Sequence, residues 1–213
     1  MASLPKFQRR KEARPGEIVK AALRVFGEKG FAAARLDEIA ARAGVSKGAL
    51  YLYFETKEDL FRAVVTEAVV PNVARIREMM AGFQGPFPDF VSTLARLFAR
   101  TATRSPFGAI AKMVIGESRN FPALARHWHE AVVAPTLSLL IGVIARAQER
   151  GEVRPGDPRL YAVQLVGPFV LAVLWRETFV PVGAEPIDLE RLAEQHARTQ
   201  VLGLLVRPEE AGR

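Results

Sequence analysis

The stretch Ala43-Gly44-Val45-Ser46 is the feature that most constrains this chain, because it leaves only four residues to join two short helical patterns. Ahead of it, Leu36, Ile39, Ala40 and Ala43 recur at the spacing of one helix face. Gly44 supplies a left-handed stop, a conformation that costs glycine nothing sterically. Behind it, Ser46 is a good N-cap for a helix that Tyr53-Phe54 and Thr56 soon interrupt. Two helices joined by so tight a glycine-containing turn read as a helix-turn-helix over 34–54. Such a motif lays its second helix in the major groove of DNA, with that helix's N-terminal residues at the base edges.

The residue types there suit the task. Lys47 reaches a phosphate or the acceptor atoms of guanine. Gly48 lets the backbone approach closely. Tyr51 and Tyr53 offer hydroxyls to phosphate oxygens, contacts that fix register rather than read sequence. Thr56 opens a further helix as N-cap, with Asp59 three residues on as in a capping box. Lys57 stands beside that positive helix end, a natural seat for a phosphate. Ser46 and Thr56 complete the candidate DNA-contact set as the caps of the two helix starts, while Val45, Ala49, Leu50 and Phe54 are left for packing. An ordinary packed helical hairpin has the same periodicity, so spacing alone leaves both readings open.

The net charge of +7 is unevenly placed. Residues 1–62 hold 13 Lys and Arg against 8 Asp and Glu, and the remaining 151 hold 17 against 15. A local basic surplus is the electrostatic footprint of a polyanion. Residues 1–14, with Lys6, Arg9, Arg10, Lys11 and Arg14, form a basic arm. Such an arm follows phosphates or enters a minor groove; a plain solvated tail has the same composition.

The rest of the chain reads as helix, and no alternating strand pattern or internal repeat interrupts it, so the fold class is all-α. Ile18, Ala22, Val25 and Phe26 line a first helix that Pro15 opens and Gly30 ends. Leu60, Phe61, Val64, Val65 and Ala68 give the fourth helix its apolar face, and Pro71 should kink or break it. The run Gly82 to Pro88 is the clearest breaker cluster. Helices are then predicted over 89–104, 107–118, 122–150, 158–178 and 188–206. Domains follow at 15–62 for DNA binding and 63–213 for the remainder.

The stretch IVKAALRVFGEKGFAAARLDEIAARAGVSKGALYLYFETKEDLFRAVV resembles the DNA-binding domain of the tetracycline-repressor (TetR) family. The likeness is carried by Phe26, Gly30 and Phe31, by Ile39, Ala40 and Ala43 to Ser46, by Gly48, Leu50, Tyr51, Tyr53 and Phe54, and by Thr56, Lys57 and Leu60. The segment ESRNFPALA (117–125) and the loop Gly151-Glu152-Val153 are also similar to C-terminal domains of part of that family. One departure is Ala34, where the family has a threonine that caps the second helix and touches a phosphate. Losing that cap costs about 1 kcal/mol; either Arg35 takes over the phosphate contact or the site meets DNA slightly differently.

The resemblance implies a regulator that binds a double-stranded DNA operator, with a fourth helix leading to a larger C-terminal helical domain that dimerises and encloses a small-molecule effector. Phe98, Phe107, Met113, Trp128, Phe169 and Trp175 are the candidates for an apolar pocket, although such side chains are more often plain core. Gly167 and Pro168 are candidates for a kink beside it. For a homodimer, Leu189, Leu192, Ala193, Ala197, Val201, Leu204 and Leu205 make an apolar stripe on the last helix, and the helix before it, 158–178, is apolar nearly all round; closing the chain's own core is the other use of the same two helices. The likeness thus implies a repressor released from a palindromic operator by its effector.

Other classes fit poorly. There is no cysteine, and the three histidines are His127, His129 and His196. The first two stand two apart and point away from each other on a helix. No phosphate loop, nucleophile elbow or HExxH occurs, so neither an enzyme nor a cofactor is expected. The longest apolar run, Ala131 to Ala145, is short of the roughly 20 residues of a membrane span, and the expected location is the cytoplasm.

Overall fold

The computed structural model describes the backbone of residues 6–206 and the side chains of 15–102 and 105–206. The basic side chains of the expected arm lie outside them. In chain order the helices are α1 (Lys6–Ala33), α2 (Leu36–Arg42), α3 (Lys47–Tyr51), α4 (Lys57–Ala68), α5 (Val70–Ala81) and α6 (Phe87–Arg104). They continue with α7 (Phe107–Glu117), α8 (Pro122–Trp128), α9 (Ala134–Glu149), α10 (Pro158–Thr178) and α11 (Leu189–Leu204). Among the described residues there is no strand, only an isolated antiparallel bridge between Val153 and Leu205. The fold is all-α.

Most element boundaries follow from local chemistry. Pro71 falls in the first turn of α5, and the break that separates it from α4 is at Val69. Pro135 falls in the first turn of α9, and the helix ahead of it widens into a π-turn over His129–Val133. The extra residue in that turn accommodates a position with no N–H to donate. Helix α10 runs through Pro168 as one element.

Pro15 departs from expectation: the helix extends back to Lys6 and carries the proline inside it. The preceding Lys, Gln, Arg, Glu and Ala residues are good helix formers and continue the helix past the missing hydrogen bond. Gly30 does end the regular helix, at φ 76°, ψ 174°, and three more residues follow the break.

The buried side chains form two clusters, and their division does not follow the boundary expected near residue 62. One joins α1–α4 to Ile110, Met113, Leu124, Trp128 and Val132 of α7, α8 and the π-turn. The other joins Met80 and α6 to α9, α10 and α11. Phe107, at the start of α7, packs against both. Its neighbour Gly108 lies so close to α10 that a Cβ there would come within 2.8 Å of Val173 Cγ1.

Helix α6 lacks a side-chain cap of its own, and Glu152 supplies one from afar, accepting the Phe87 N–H at 2.7 Å. Arg150 and that N–H hold the Glu152 carboxyl below the usual carboxylate range. The last helix uses part of its apolar stripe inside the chain. Leu189, Ala193, Ala197 and Leu204 of its apolar stripe are buried against α6 of the same chain. Apolar side chains stay uncovered on both of the last two helices: Leu160, Val163 and Leu171 of α10 are 59, 48 and 61% exposed, and Leu202 of α11 is 68% exposed. By length and composition Pro122–Glu149 and Pro158–Val182 could each cross a membrane, although no unbroken apolar run does so. Both instead contribute side chains to the clusters just described.

Candidate nucleic-acid interface

The turn between α2 and α3 closes as a helix stop should. Gly44 is left-handed at φ 67°, its N–H donates to Ala41 O, and the Val45 N–H donates to Ala40 O. These two bonds satisfy carbonyls that the helix end would otherwise leave open. Ile39, Ala40 and Leu50 are buried beneath, so the angle between the two helices is fixed by packing. The Ser46 hydroxyl accepts the Ala49 N–H at 3.1 Å, capping α3. Thr56 and Asp59 form the full capping box of α4. The Thr56 hydroxyl is therefore engaged within the fold, accepting from Asp59 N and donating to Asp59 Oδ2.

Arg35, Ser46, Lys47, Gly48, Tyr51 and Tyr53 are all exposed, and the short α3 carries four of them or their cap. A Cβ on Gly48 would meet no atom within 4 Å, so packing inside the chain does not require a glycine there. Lys47 Nζ lies 2.8 Å from Asp37 Oδ1 in an ion pair whose members are 59 and 51% exposed. The carboxylate holds the ammonium above its ordinary pKa, while the nearby Arg35 charge opposes that. So exposed a pair contributes little stability; its effect is to hold Lys47 across the α2–α3 turn. The second helix is braced from behind, where Glu38 meets Lys29 and Arg42, and Arg42 also meets Glu28.

Lys57 has a different setting from the one expected. Its Nζ donates to Ala32 O at 3.0 Å and Ala34 O at 3.1 Å, and stands 4.7 Å from the centre of the Phe31 ring. It ties the segment between α1 and α2 to the start of α4. That segment needs the tie, because Arg35 stands at the N-cap of α2, one residue after the expected Ala34, and makes no capping bond.

Two residues of this face escape a reading by residue type. Asp37 partners Lys47 only because the turn brings α2 and α3 together. Leu52 is 83% exposed between the two tyrosines, and an apolar side chain so placed suits the methyl group of thymine. The signal was available: a leucine in the reading segment that no helical face absorbs.

Of the candidate pocket residues, Phe98, Phe107, Trp128 and Phe169 form a continuous string. Phe107 lies 5.3 Å from Trp128 and 6.1 Å from Phe98, and Phe98 stacks 4.9 Å from Phe169, centre to centre. Met113 is buried further along α7. Trp175 does not join them: its indole N–H donates to Glu185 O and its ring packs on Phe179. Six residues beyond Phe169, it lies about 240° further round the helix. Two surface clefts of about 580 and 490 Å³ flank the Gln84-Gly85 loop and are lined by none of these residues.

Residues 18–64 match the family described as bacterial regulatory proteins, tetR family, and residues 89–199 match the Tetracyclin repressor-like C-terminal domain. This chain belongs to the TetR family of transcriptional regulators, which are not enzymes. It is 31% identical over 144 residues to the HTH-type transcriptional repressor BepR of Brucella suis, covering 64% of this chain and 66% of that protein. Among solved structures, FadR from Bacillus subtilis in complex with stearoyl-CoA aligns with a TM-score of 0.70 at 23% identity, covering 88% of this chain and 98% of that one. A SmeT–triclosan complex aligns with a TM-score of 0.74 at 21% identity, covering 92% and 93%.

Lys47→Ala should weaken binding to a fixed duplex and lower its salt slope by about 1, whereas Asp37→Asn should tighten it roughly two- to fivefold. Fluorescence anisotropy over a salt series measures both, and unchanged affinity in the pair of variants contradicts the assignment. Lys57→Met keeps the apolar stem and should cost about 1–2 kcal/mol in urea unfolding. Full stability with a lost phosphate contact would instead return Lys57 to the DNA face.

Proposed function

We propose that this protein is a homodimeric repressor that binds a palindromic operator in the cytoplasm and is released from it by a small molecule with a large apolar part. The observation that carries this reading is the exposed face of α3, where Lys47, Gly48, Tyr51, Leu52 and Tyr53 stand on a turn that packing holds rigid. Arg35, Lys47 and Gly48 address the groove and its edge. Tyr51 and Tyr53 take phosphates. Ser46 and Thr56 hold the two helix starts in place.

One such head makes a small interface, and pairing two heads on half-sites about 34–36 Å apart is the usual remedy. The apolar face of α10 supports that pairing: Leu160, Val163, Gly167 and Leu171 recur at helical spacing and no element of the same chain covers the three large ones. An exposed apolar stripe of this kind is characteristic of an association surface.

BepR is a repressor by name, and the FadR and SmeT structures hold stearoyl-CoA and triclosan. Both ligands carry large apolar parts, which supports the effector class. The aromatic string Phe98, Phe107, Trp128 and Phe169 is the seat we assign to it, with Met113 behind. Occupancy parts these rings and shifts α4 about the break at Val69-Val70-Pro71, changing the spacing of the two heads. DNA and effector then oppose each other through one equilibrium, each weakening the other by the same factor.

Selection of binding duplexes from a random pool should return an inverted repeat, bound roughly 10³-fold or more tighter than random DNA at the same salt. Recovery of no common sequence contradicts the reading. Leu171→Arg should place a charge in the α10 face, giving a monomer by sedimentation velocity and abolishing that selectivity. A dimer that tolerates the arginine places the interface elsewhere.

A further inference from the structure

The segment between α7 and α8 touches the DNA-binding helices at the turn Gly30–Ala34 that leads into α2. The Glu117 carboxylate, from the last residue of α7, accepts the Ala32 N–H at 3.0 Å. The same oxygen lies 3.5 Å from where a Cβ on Gly30 would stand. Four residues on, the Phe121 ring meets Phe31 edge to face at 4.8 Å. The two groups are presented together because the Asn120 and Phe121 N–H groups both donate to Glu117 O, folding 117–121 into a tight hook.

The turn that this hook grips has no cap of its own. Gly30 sits at φ 76°, α2 starts without a side-chain cap, and the other ties are the Phe31 ring packed on Phe26 and Phe61 and the Lys57 ammonium from α4. The turn runs directly into α2, whose Ile39 and Ala40 seat α3. At its other end α7 begins with Phe107, which is part of the aromatic string, and with Gly108, fitted closely against Val173 of α10. An eleven-residue helix therefore spans, over roughly 16 Å, from that string to the turn that places the reading head.

We propose that Glu117, with Phe121, is a positioning residue for DNA recognition: the hook at the end of α7 fixes the turn ahead of α2 and carries the state of the C-terminal helices to α3. This route enters the helix-turn-helix through the α1–α2 turn, beside any swing of α4, which holds the same turn through Lys57 and Phe61. It rests on the DNA-binding reading above, and its local effect is measurable without DNA.

The test uses the full-length protein as wild type, Glu117→Ala and Glu117→Gln. Glutamine retains a carbonyl oxygen able to accept the Ala32 N–H, and alanine does not. Hydrogen exchange should show the Ala32 amide and its neighbours through Leu36 exchanging at least tenfold faster in Glu117→Ala, with Glu117→Gln close to wild type. On the duplex obtained by the selection above, the alanine variant should lose about tenfold in affinity while its affinity for random DNA stays within twofold. The glutamine variant should recover most of the loss. Unchanged exchange at residues 31–36 in Glu117→Ala overturns the hook itself. Faster exchange with an unchanged ratio of selected to random affinity overturns its positioning role. A failure of the selection to yield any duplex leaves the exchange result standing and falls on the DNA-binding reading alone.

Discussion

Phe31 has no exposed surface, and the placement of the reading head depends on the contacts around its ring. Phe26 comes from α1, Phe61 from α4 and Phe121 from the α7–α8 hook, at 5.5, 6.0 and 4.8 Å between centres. The Lys57 ammonium stands over the ring while holding the carbonyls on either side of Ala33. Removing a fully buried phenyl ring costs about 3–5 kcal/mol, and here the loss would also free the turn that sets α2. Glycine at position 30 is what lets the chain turn its phenylalanine inward there, at a φ of 76° that side chains rarely adopt.

The DNA face is built on that seat with few free parts. Caps and turns take up the small polar groups: the Ser46 and Thr56 oxygens accept from the helix starts they close. What faces outward is one lysine, one arginine, two tyrosines, a leucine and a glycine with open space beside it. The Lys47–Asp37 pair is weak because both ends are solvated, so giving it up for another acceptor costs little. The surplus of positive charge carried by residues 1–62 of the sequence is the electrostatic footprint of a polyanion.

Features set by neighbours in the chain were legible in the sequence. The Gly44 stop, the Ser46 cap, the Thr56–Asp59 box and the break two residues ahead of Pro71 are each decided within four residues. Features set by distant partners were not. The apolar stripe of α11 has the same spacing whether it meets a second subunit or α6, and four of its seven residues are buried against α6. Lys57 beside a helix start suits a phosphate equally well, until the fold brings two carbonyls from 23 and 25 residues away. Glu117 and Phe121 carry no signature of their role, because their partners lie 85 and 90 residues earlier. Trp175 leaves the aromatic string for a similar reason: composition does not say which side of α10 faces inward.

In the proposed complex α3 enters the major groove, and two copies do so on one face of the duplex. Hydroxyl-radical footprinting of the full-length protein on a duplex obtained by selection should then show two protected patches related by a two-fold axis, with centres about 10–10.5 base pairs apart or a multiple of that, and Lys47→Ala should weaken both equally. A single patch, or uniform protection without a symmetry axis, would contradict it.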